Sequence, residues 1–433
     1  YVRWGLDPSR RYMHGLAAFD LQTGQTRWMI GDAAPWDELR PVSDPVVAGD
    51  RLYLLAISPG LLATSDEESV LVSPPPALAE ILENARVYRV FVPRENFPES
   101  SWLGLRMPRE MWQQGPLTVA AFGADPPAGS TEFHLSLLSV GEDGELKYPT
   151  TGISAGEYDQ VVVQMARLAA KNLTPVAGEG FDHGLVWEKG SLDLKCADPE
   201  EAVGNRPHDV LPEGDGESML RRLIDDSINL LSELEFNRVR QEEGLPPLNC
   251  LWPWAPGRRQ DCPNLALHRG ELATVVSNSL RQRGLVRLCG YQNVERYRYE
   301  TRERLDSSGL LNLTRSRSPS VVLISRFFNQ RAEGDPEEVA RAWNEFGEQF
   351  LAPYSRPATD EEVVRLTLVA LDRTLESGLA LVWSNQDKPE GTLPFDERVL
   401  DDRRLTKRPL YEIARDSLAL EAWGSGGDRE RTS

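Results

Sequence analysis

Histidine, cysteine and cationic side chains are all scarce in this chain, and each scarcity excludes a class of function. The five histidines stand at 14, 134, 183, 208 and 268, so the last 165 residues hold none. That leaves few imidazoles for a metal centre. The four cysteines, Cys196, Cys250, Cys262 and Cys289, form no CxxC pair and are too few for a disulfide-built scaffold, so they leave the redox compartment open. Lys and Arg total 48 against 67 Asp and Glu, and a net charge of -19 repels a phosphate backbone at long range. A nucleic-acid partner is therefore not expected. No apolar run approaches the ~18 residues of a membrane helix, so no membrane span is expected and a soluble, cytoplasmic protein is favoured. Also missing are GxSxG, GxxxxGK[ST], HExxH and any Cys/His cluster.

What is present suits a layered globular protein. At roughly 150 residues per domain, 433 residues give two or three domains. Hydrophobic residues at 40% and charged residues at 27% supply a core and a solvated surface, which rules out a disordered chain. Behind Tyr1 there is no basic n-region with an apolar h-region, so a signal peptide is expected to be absent or removed.

Residues 15–30, GLAAFDLQTGQTRWMI, are two short apolar runs around Thr23-Gly24, a hairpin pattern. Pro45-Val46-Val47, the turn Ala48-Gly49-Asp50 and Arg51 to Leu55 extend it. With Ala18, Asp20, Thr23, Gly24 and Trp28, this unit resembles one blade of the pyrroloquinoline-quinone-type β-propeller repeat. No second copy follows, and a single blade cannot enclose a cofactor. The unit is expected to be a β appendage whose strand edges pair with another protein chain.

From about residue 50, strands alternate with helices, which predicts an α/β layered domain. Strands are expected at Leu52 to Ile57, Val87 to Val92, Gly184 to Trp187, Leu248 to Trp252, Leu285 to Cys289, Ser320 to Ser325 and Leu379 to Trp383. Helices are expected at Ala77 to Ala85, Glu157 to Lys171, Ser218 to Gln241, Gly270 to Arg283, Pro336 to Leu351 and Asp360 to Leu375, where apolar residues recur at spacings of three and four. The Ser/Arg-rich stretch Ser307 to Ser318 reads as a loop, and 424–433 as a flexible tail.

A series of short motifs then falls in one order. Ser73-Pro-Pro-Pro-Ala-Leu-Ala-Glu-Ile-Leu82 leads to Arg89-Val-Phe-Val-Pro93 and Phe97-Pro-Glu-Ser100. Gln114-Gly-Pro-Leu117, Phe133 to Val140 with Glu142-Asp-Gly-Glu145, and Thr151-Gly-Ile-Ser154 come next. His183-Gly-Leu-Val-Trp187, Pro207-His-Asp-Val210, Asn237-Arg238, Gly244, Asn249 and Leu251-Trp-Pro-Trp254 complete the series. Together, over roughly residues 50 to 400, this order resembles the archaeal-type cofactor-independent phosphoglycerate mutases of the alkaline phosphatase superfamily. The resemblance implies an alkaline-phosphatase-like, mostly parallel sheet sandwiched by helices, with an inserted smaller α/β lid. The expected domains are a propeller-blade-like β unit at 1–45, a core at 46–124 and 216–423, and a lid at 125–215.

Such mutases move a phosphoryl group through a phosphoserine beside two divalent cations held by Asp and His. Paired cations lower the pKa of the attacking oxygen and neutralise the transferring group, so their ligands must converge on one point. Laid on this chain, the ligand motifs fall on other residue types. Ser58 follows Ala56-Ile57 where an Asp ligand is implied. Phe328 and Ala332 stand for an Asp and a His, and Asn385 and Gln386 for another Asp and His. No realignment recovers the imidazoles, because no histidine follows His268. These positions, with Ser100 in the place of the phosphorylated serine, are expected to converge around a former metal centre. Ser100 also suits a plain helix-cap or loop serine.

On the substrate side the resemblance places His183, His208, Asp209 and Arg258, although Asp182 stands where an Arg is implied and would repel phosphate. Arg258 and Arg259 could serve as anion ligands or as solvated surface. The combined reading is a phosphoglycerate-mutase-like protein that has lost most metal ligands, without a cofactor and used for binding or assembly, its cleft more apolar and less suited to anions than a mutase requires. The alternative is a working mutase interconverting 2- and 3-phosphoglycerate, with relocated ligands and Mn or Zn.

Overall fold

The computed structural model describes residues 2–4, 15–19, 26–30, 51–58, 61–62, 71, 75–109, 112–263, 274–291, 294–296, 306–316, 320–323, 336–356, 363–372, 374–386, 395, 399 and 402–417. Phe328, Ala332, the turn at Thr23-Gly24, residues 45–50 and the tail at 424–433 lie outside them. The first strands, β1 (Val2–Trp4), β2 (Gly15–Phe19) and β3 (Thr26–Ile30), form an antiparallel three-stranded sheet. The expected hairpin is β2 with β3. Arg51 to Leu55, by contrast, do not extend this unit: they open β4 (Arg51–Ser58), a central strand of a larger sheet.

The chain continues through β5 (Arg86–Phe91) into β6 (Thr131–Val140), β7 (Leu146–Lys147), β8 (Leu173–Glu179), β9 (Asp182–Trp187), the short ribbon β10 (Leu194–Lys195) and β11 (Glu213–Gly214), and β12 (Cys250–Gly257). It returns in β13 (Thr274–Ser277), β14 (Val294–Glu295), β15 (Ser320–Leu323), β16 (Val363–Leu371), β17 (Ser377–Ser384) and β18 (Lys407–Pro409). The larger sheet has the order β14-β13-β15-β4-β16-β17-β5-β18, and only the two pairings made by β17 are antiparallel. The mostly parallel sheet predicted from sequence is thus present, with residues 51–58 and 377–384 in it together.

Period-two alternation sorts the residues of β4 between two cores. Leu54 and Ala56 face one side with Val339, Trp343 and Phe350, while Leu55 and Ile57 face the other with Trp102, Leu285 and Ile413. In β16, Leu366, Leu368 and Ala370 join the first core, and Val369 and Leu371 the second. Burial on both faces explains one misreading: Asp360 to Leu375 reads as a helix because a doubly buried strand has no polar alternation, yet Val363–Leu371 is a strand. Leu285 to Cys289 reads as a strand but lies in the helix Leu280–Leu288 and its C-cap, Leu285 and Val286 being its buried stripe. Thr274–Ser277, inside the expected helix Gly270 to Arg283, is β13. The expected loop at 307–318 contains the helix Ser307–Ser316, held by buried Leu310.

The smaller sheet is antiparallel, in the order β12-β6-β9-β8 with β7 on β6. The helices Ala155–Arg167, Glu217–Ser232 and Glu235–Glu242 pack Met165, Leu220, Leu231 and Phe236 on Phe133, Leu135 and Leu251. Residues 217–257, expected in the core segment, therefore pair and pack with the smaller sheet. The family-like motif order does not mark that boundary, whereas the apolar stripe of Glu217–Ser232 needs the sheet it covers.

One helix joins the two units. Gln114–Ala121 packs on β6, β9 and β12, and on the helix Leu280–Leu288 of the larger unit. Both contacts need glycine. A Cβ at Gly115 would lie 2.2 Å from the Glu132 carbonyl oxygen, and one at Gly284 would lie 1.9 Å from that of Leu117.

Candidate functional site at the carboxyl edge and the cleft

The strands β13, β15, β4, β16 and β5 all end on one edge of the larger sheet. There Ser277 pairs with Leu323, Leu323 with Ile57, Ser58 with Ala370, and Phe91 with Ser377. In open α/β sheets this is the edge that binds ligands. Ser58 closes β4, almost fully buried. Ser100, in the helix Pro98–Trp102 beyond β5, shares a core with Ile57 through Phe97 and Trp102.

Asn385 and Gln386 do not join them. Because β17 runs antiparallel, its last residues emerge at the opposite edge: Asn385 N donates to Val364 O (3.2 Å) and its Oδ1 accepts from Val364 N (2.9 Å). Val364 pairs with Leu52, six residues before Ser58, or about 20 Å away along the strand. The predicted convergence fails for these two residues for that topological reason.

One acidic residue at the carboxyl edge that sequence reading missed is Asp372, directly after β16. Its carboxylate is committed to the β16–β17 turn. It accepts from Thr374 Oγ1 (2.8 Å), Glu376 N (3.2 Å) and Ser377 Oγ (2.6 Å). Ser100 is equally occupied. Its hydroxyl, fully buried, donates to Phe97 O at 2.6 Å. Metal chemistry needs several acidic or imidazole donors turned to one point. Among the described residues no group of three His, Cys, Asp or Glu side chains is so placed.

The residues expected on the substrate side are dispersed. His183 is fully buried in β9, its Nδ1 accepting from Gly178 N (3.1 Å), and burial pushes its pKa down to about 4. Its Nε2 is buried without a hydrogen-bond partner among the described residues. His208 and Asp209 sit exposed on the turn Pro207–Asp209, and Arg258 donates to Gly190 O (2.9 Å). Asp182, half exposed, accepts from His134 Nε2 (2.9 Å), whose Nδ1 meets Thr118 Oγ1 (2.9 Å) beside the Trp254 ring.

Between the two units lies a cleft of about 1050 Å³, lined by Phe122, Glu179, Asn278, Arg283, Arg287 and Arg296 among others. Its lining carries three guanidiniums, of Arg283, Arg287 and Arg296, and two carboxylates, of Glu179 and Glu295. Arg283, nearly buried in the helix Leu280–Leu288, forms a double ion pair with Glu179 of β8 (2.6 and 2.8 Å), and Arg296 adds a third contact at 2.6 Å. Burial alone would raise the Glu179 pKa, but the hydrogen bonds and charge of Arg283, with the charge of Arg296, hold it below its usual value. Arg287 Nε and Asn278 Oδ1 are buried without a hydrogen-bond partner among the described residues. The signal in the sequence was Arg283 and Arg287, four apart on one helix face.

No family model matches the chain. It is similar to the 2,3-bisphosphoglycerate-independent phosphoglycerate mutase of Methanosarcina acetivorans, 22% identical over 301 residues, which cover 66% of this chain and 76% of the relative. It is also similar to a probable 2,3-bisphosphoglycerate-independent phosphoglycerate mutase of Geobacter sulfurreducens, 25% identical over 34% of this chain and 38% of the relative. In fold it matches the cofactor-independent phosphoglycerate mutase of Thermoplasma acidophilum, with a TM-score of 0.57 and 16% identity over 86% of this chain and 100% of the other. The chain is thus related to the archaeal 2,3-bisphosphoglycerate-independent phosphoglycerate mutases and has their alkaline-phosphatase-like fold.

Proposed function

We propose that this chain is a phosphoglycerate-mutase-like binding protein that does not transfer phosphoryl groups. The observation that carries the reading is the state of the carboxyl edge. The carboxylate at the end of β16, Asp372, is spent on a turn, Ser58 ends β4, and the Ser100 hydroxyl is turned into the core. A phosphoserine mechanism needs an exposed nucleophile and cations beside it; these residues supply neither. The absence of histidine after His268 supports the same conclusion.

The cleft supports the binding half of the proposal. Three guanidiniums, two of them with buried nitrogens, face two glutamates there, which suits a small phosphorylated or carboxylated acid. An assembly role is supported at the other end of the chain, where β1 and β3 pair with no further described strand and so leave backbone edges for another chain.

The test is calorimetric titration with 3-phosphoglycerate, paired with elemental analysis after incubation with Mn or Zn. Saturable 3-phosphoglycerate binding without retained metal is expected. Stoichiometric metal would favour the active mutase, and no binding at millimolar ligand would remove the cleft from the account.

A further inference from the structure

A second cavity, of about 610 Å³, lies at the outer end of the carboxyl edge, where Phe91 ends β5 beside Pro409 of β18 and Ser377 opens β17. It shares no lining residue with the cleft between the two units. Its size suits a small molecule, and the carboxyl ends of the strands are where open α/β sheets bind ligands.

With 67 acidic side chains for 48 basic ones, most cations of this chain can find a carboxylate. Strand β18 shows a contrast. Arg408 is held by Asp416 (2.7 Å) and Glu412 (3.4 Å). Lys407, one residue earlier and so on the opposite face of the strand, lines the cavity with no ion pair among the described residues. Its ammonium lies 4.8 Å from the centre of the Phe91 ring. Arg106, also without an ion pair among the described residues, has its guanidinium 5.4 Å from the centre of the Tyr411 ring, and Arg415 lies over the same ring at 5.7 Å. The acidic lining is otherwise arranged. Asp372 is committed to its turn, Glu376 approaches Arg94 at 3.9 Å, and Glu95 is exposed to solvent.

We propose that this cavity binds a small aromatic acid, a single carboxylate or phosphate group carried on a flat apolar ring. The anion is met by Lys407 and by the edge N–H groups of Arg106, whose fork matches either group. The ring has Phe91, Pro409 and the outer face of the Arg106 guanidinium to lie against, since a guanidinium resting on one ring can stack on a second. Glu95, Asp372 and Glu376 repel further negative charge, which favours one anionic group over a polyanion. This site does not depend on what the cleft binds.

The test acetylates the folded full chain with a limiting amine reagent and follows each lysine by peptide mass spectrometry, with Lys171, Lys189 and Lys195 as internal references. Phenylacetate and phenyl phosphate, the carboxylate and phosphate forms of the ligand, are expected at millimolar concentration to protect Lys407 and leave the references labelled. Inorganic phosphate and 3-phosphoglycerate lack the ring and benzyl alcohol lacks the charge, so each should leave Lys407 labelled too. In calorimetry, Arg106→Gln should weaken the tighter of the two acids about tenfold, as the loss of one charge-assisted hydrogen bond predicts. Lys407→Arg, which keeps the charge, should stay within about twofold. Both side chains are exposed, so both variants should unfold at the temperature of the unsubstituted protein. Protection by neither acid, equal protection by any of the three control compounds, or unchanged affinity in folded Arg106→Gln would overturn the assignment.

Discussion

Replacing Glu179 with Gln should weaken the fold and tighten anion binding at once. The carboxylate crosses from β8 of the smaller sheet to Arg283 in the larger unit, with Arg296 as a third contact. At about 4 Å and an effective dielectric of about 20, each ion pair carries roughly 4 kcal/mol of Coulomb energy, most of it offset by desolvation. Arg283 is only 6% exposed at its side chain, but Glu179 is 33% and Arg296 52% exposed, so solvent screening discounts the sum. A net loss of about 1–3 kcal/mol is expected in urea unfolding near neutral pH. The loss should shrink in acid. Because the folded pKa of Glu179 is depressed, its contribution is complete above the usual carboxylate value of 4.5 and disappears as pH falls through the folded value. In the cleft, the variant removes one negative charge. For an anion roughly 6 Å away at a dielectric of roughly 40, that is about 1.4 kcal/mol, or about tenfold tighter 3-phosphoglycerate binding in calorimetry. Unchanged stability would refute the ion pair as a link between units, and unchanged or weaker binding would refute the electrostatic account of the cleft.

Gly284→Ala should be among the most damaging single-methyl changes, costing about 3 kcal/mol or more in thermal unfolding, because its Cβ meets the Leu117 carbonyl; near-normal stability would mean that the helices separate easily. Ser100→Ala should cost only about 1 kcal/mol, the worth of its bond to Phe97 O, and leave no phosphoprotein to be lost in 32P labelling; a serine-dependent label would contradict this. Burial raises the Glu132 pKa to about 7 in spite of Arg259, so the native state binds the extra proton and stability should fall as pH rises from 4.5 to about 7. Glu132→Gln should flatten that slope in urea titrations across the same range, and an unaltered slope would assign it to other groups.

The parts of the fold that could be read in the sequence were those whose pattern needs no partner. Leu52 to Ile57 and Leu379 to Trp383 are short apolar runs between turn residues, and both fall in the larger sheet as expected. Val363 to Leu371 and Leu285 to Cys289 were exchanged between strand and helix because both are apolar runs whose period is erased by burial. The site was less legible for a different reason. Ser58 could be placed from the strand it ends, but Asn385 required the direction of β17, and strand direction is a property of the sheet. Asp372 was hidden inside the misread helix. Arg283 and Glu179 are 104 residues apart, and the packing of the helix Leu280–Leu288 on Gln114–Ala121, close at Gly284 and Leu117, helps to bring their elements together.

The most direct test of the central claim is a turnover measurement by phosphorus NMR, following 3-phosphoglycerate with the full chain under saturating Mn, Zn and Co in turn. Loss of phosphoryl transfer predicts no 2-phosphoglycerate above the protein-free control. Metal-dependent formation of 2-phosphoglycerate that is abolished in Ser100→Ala would contradict it.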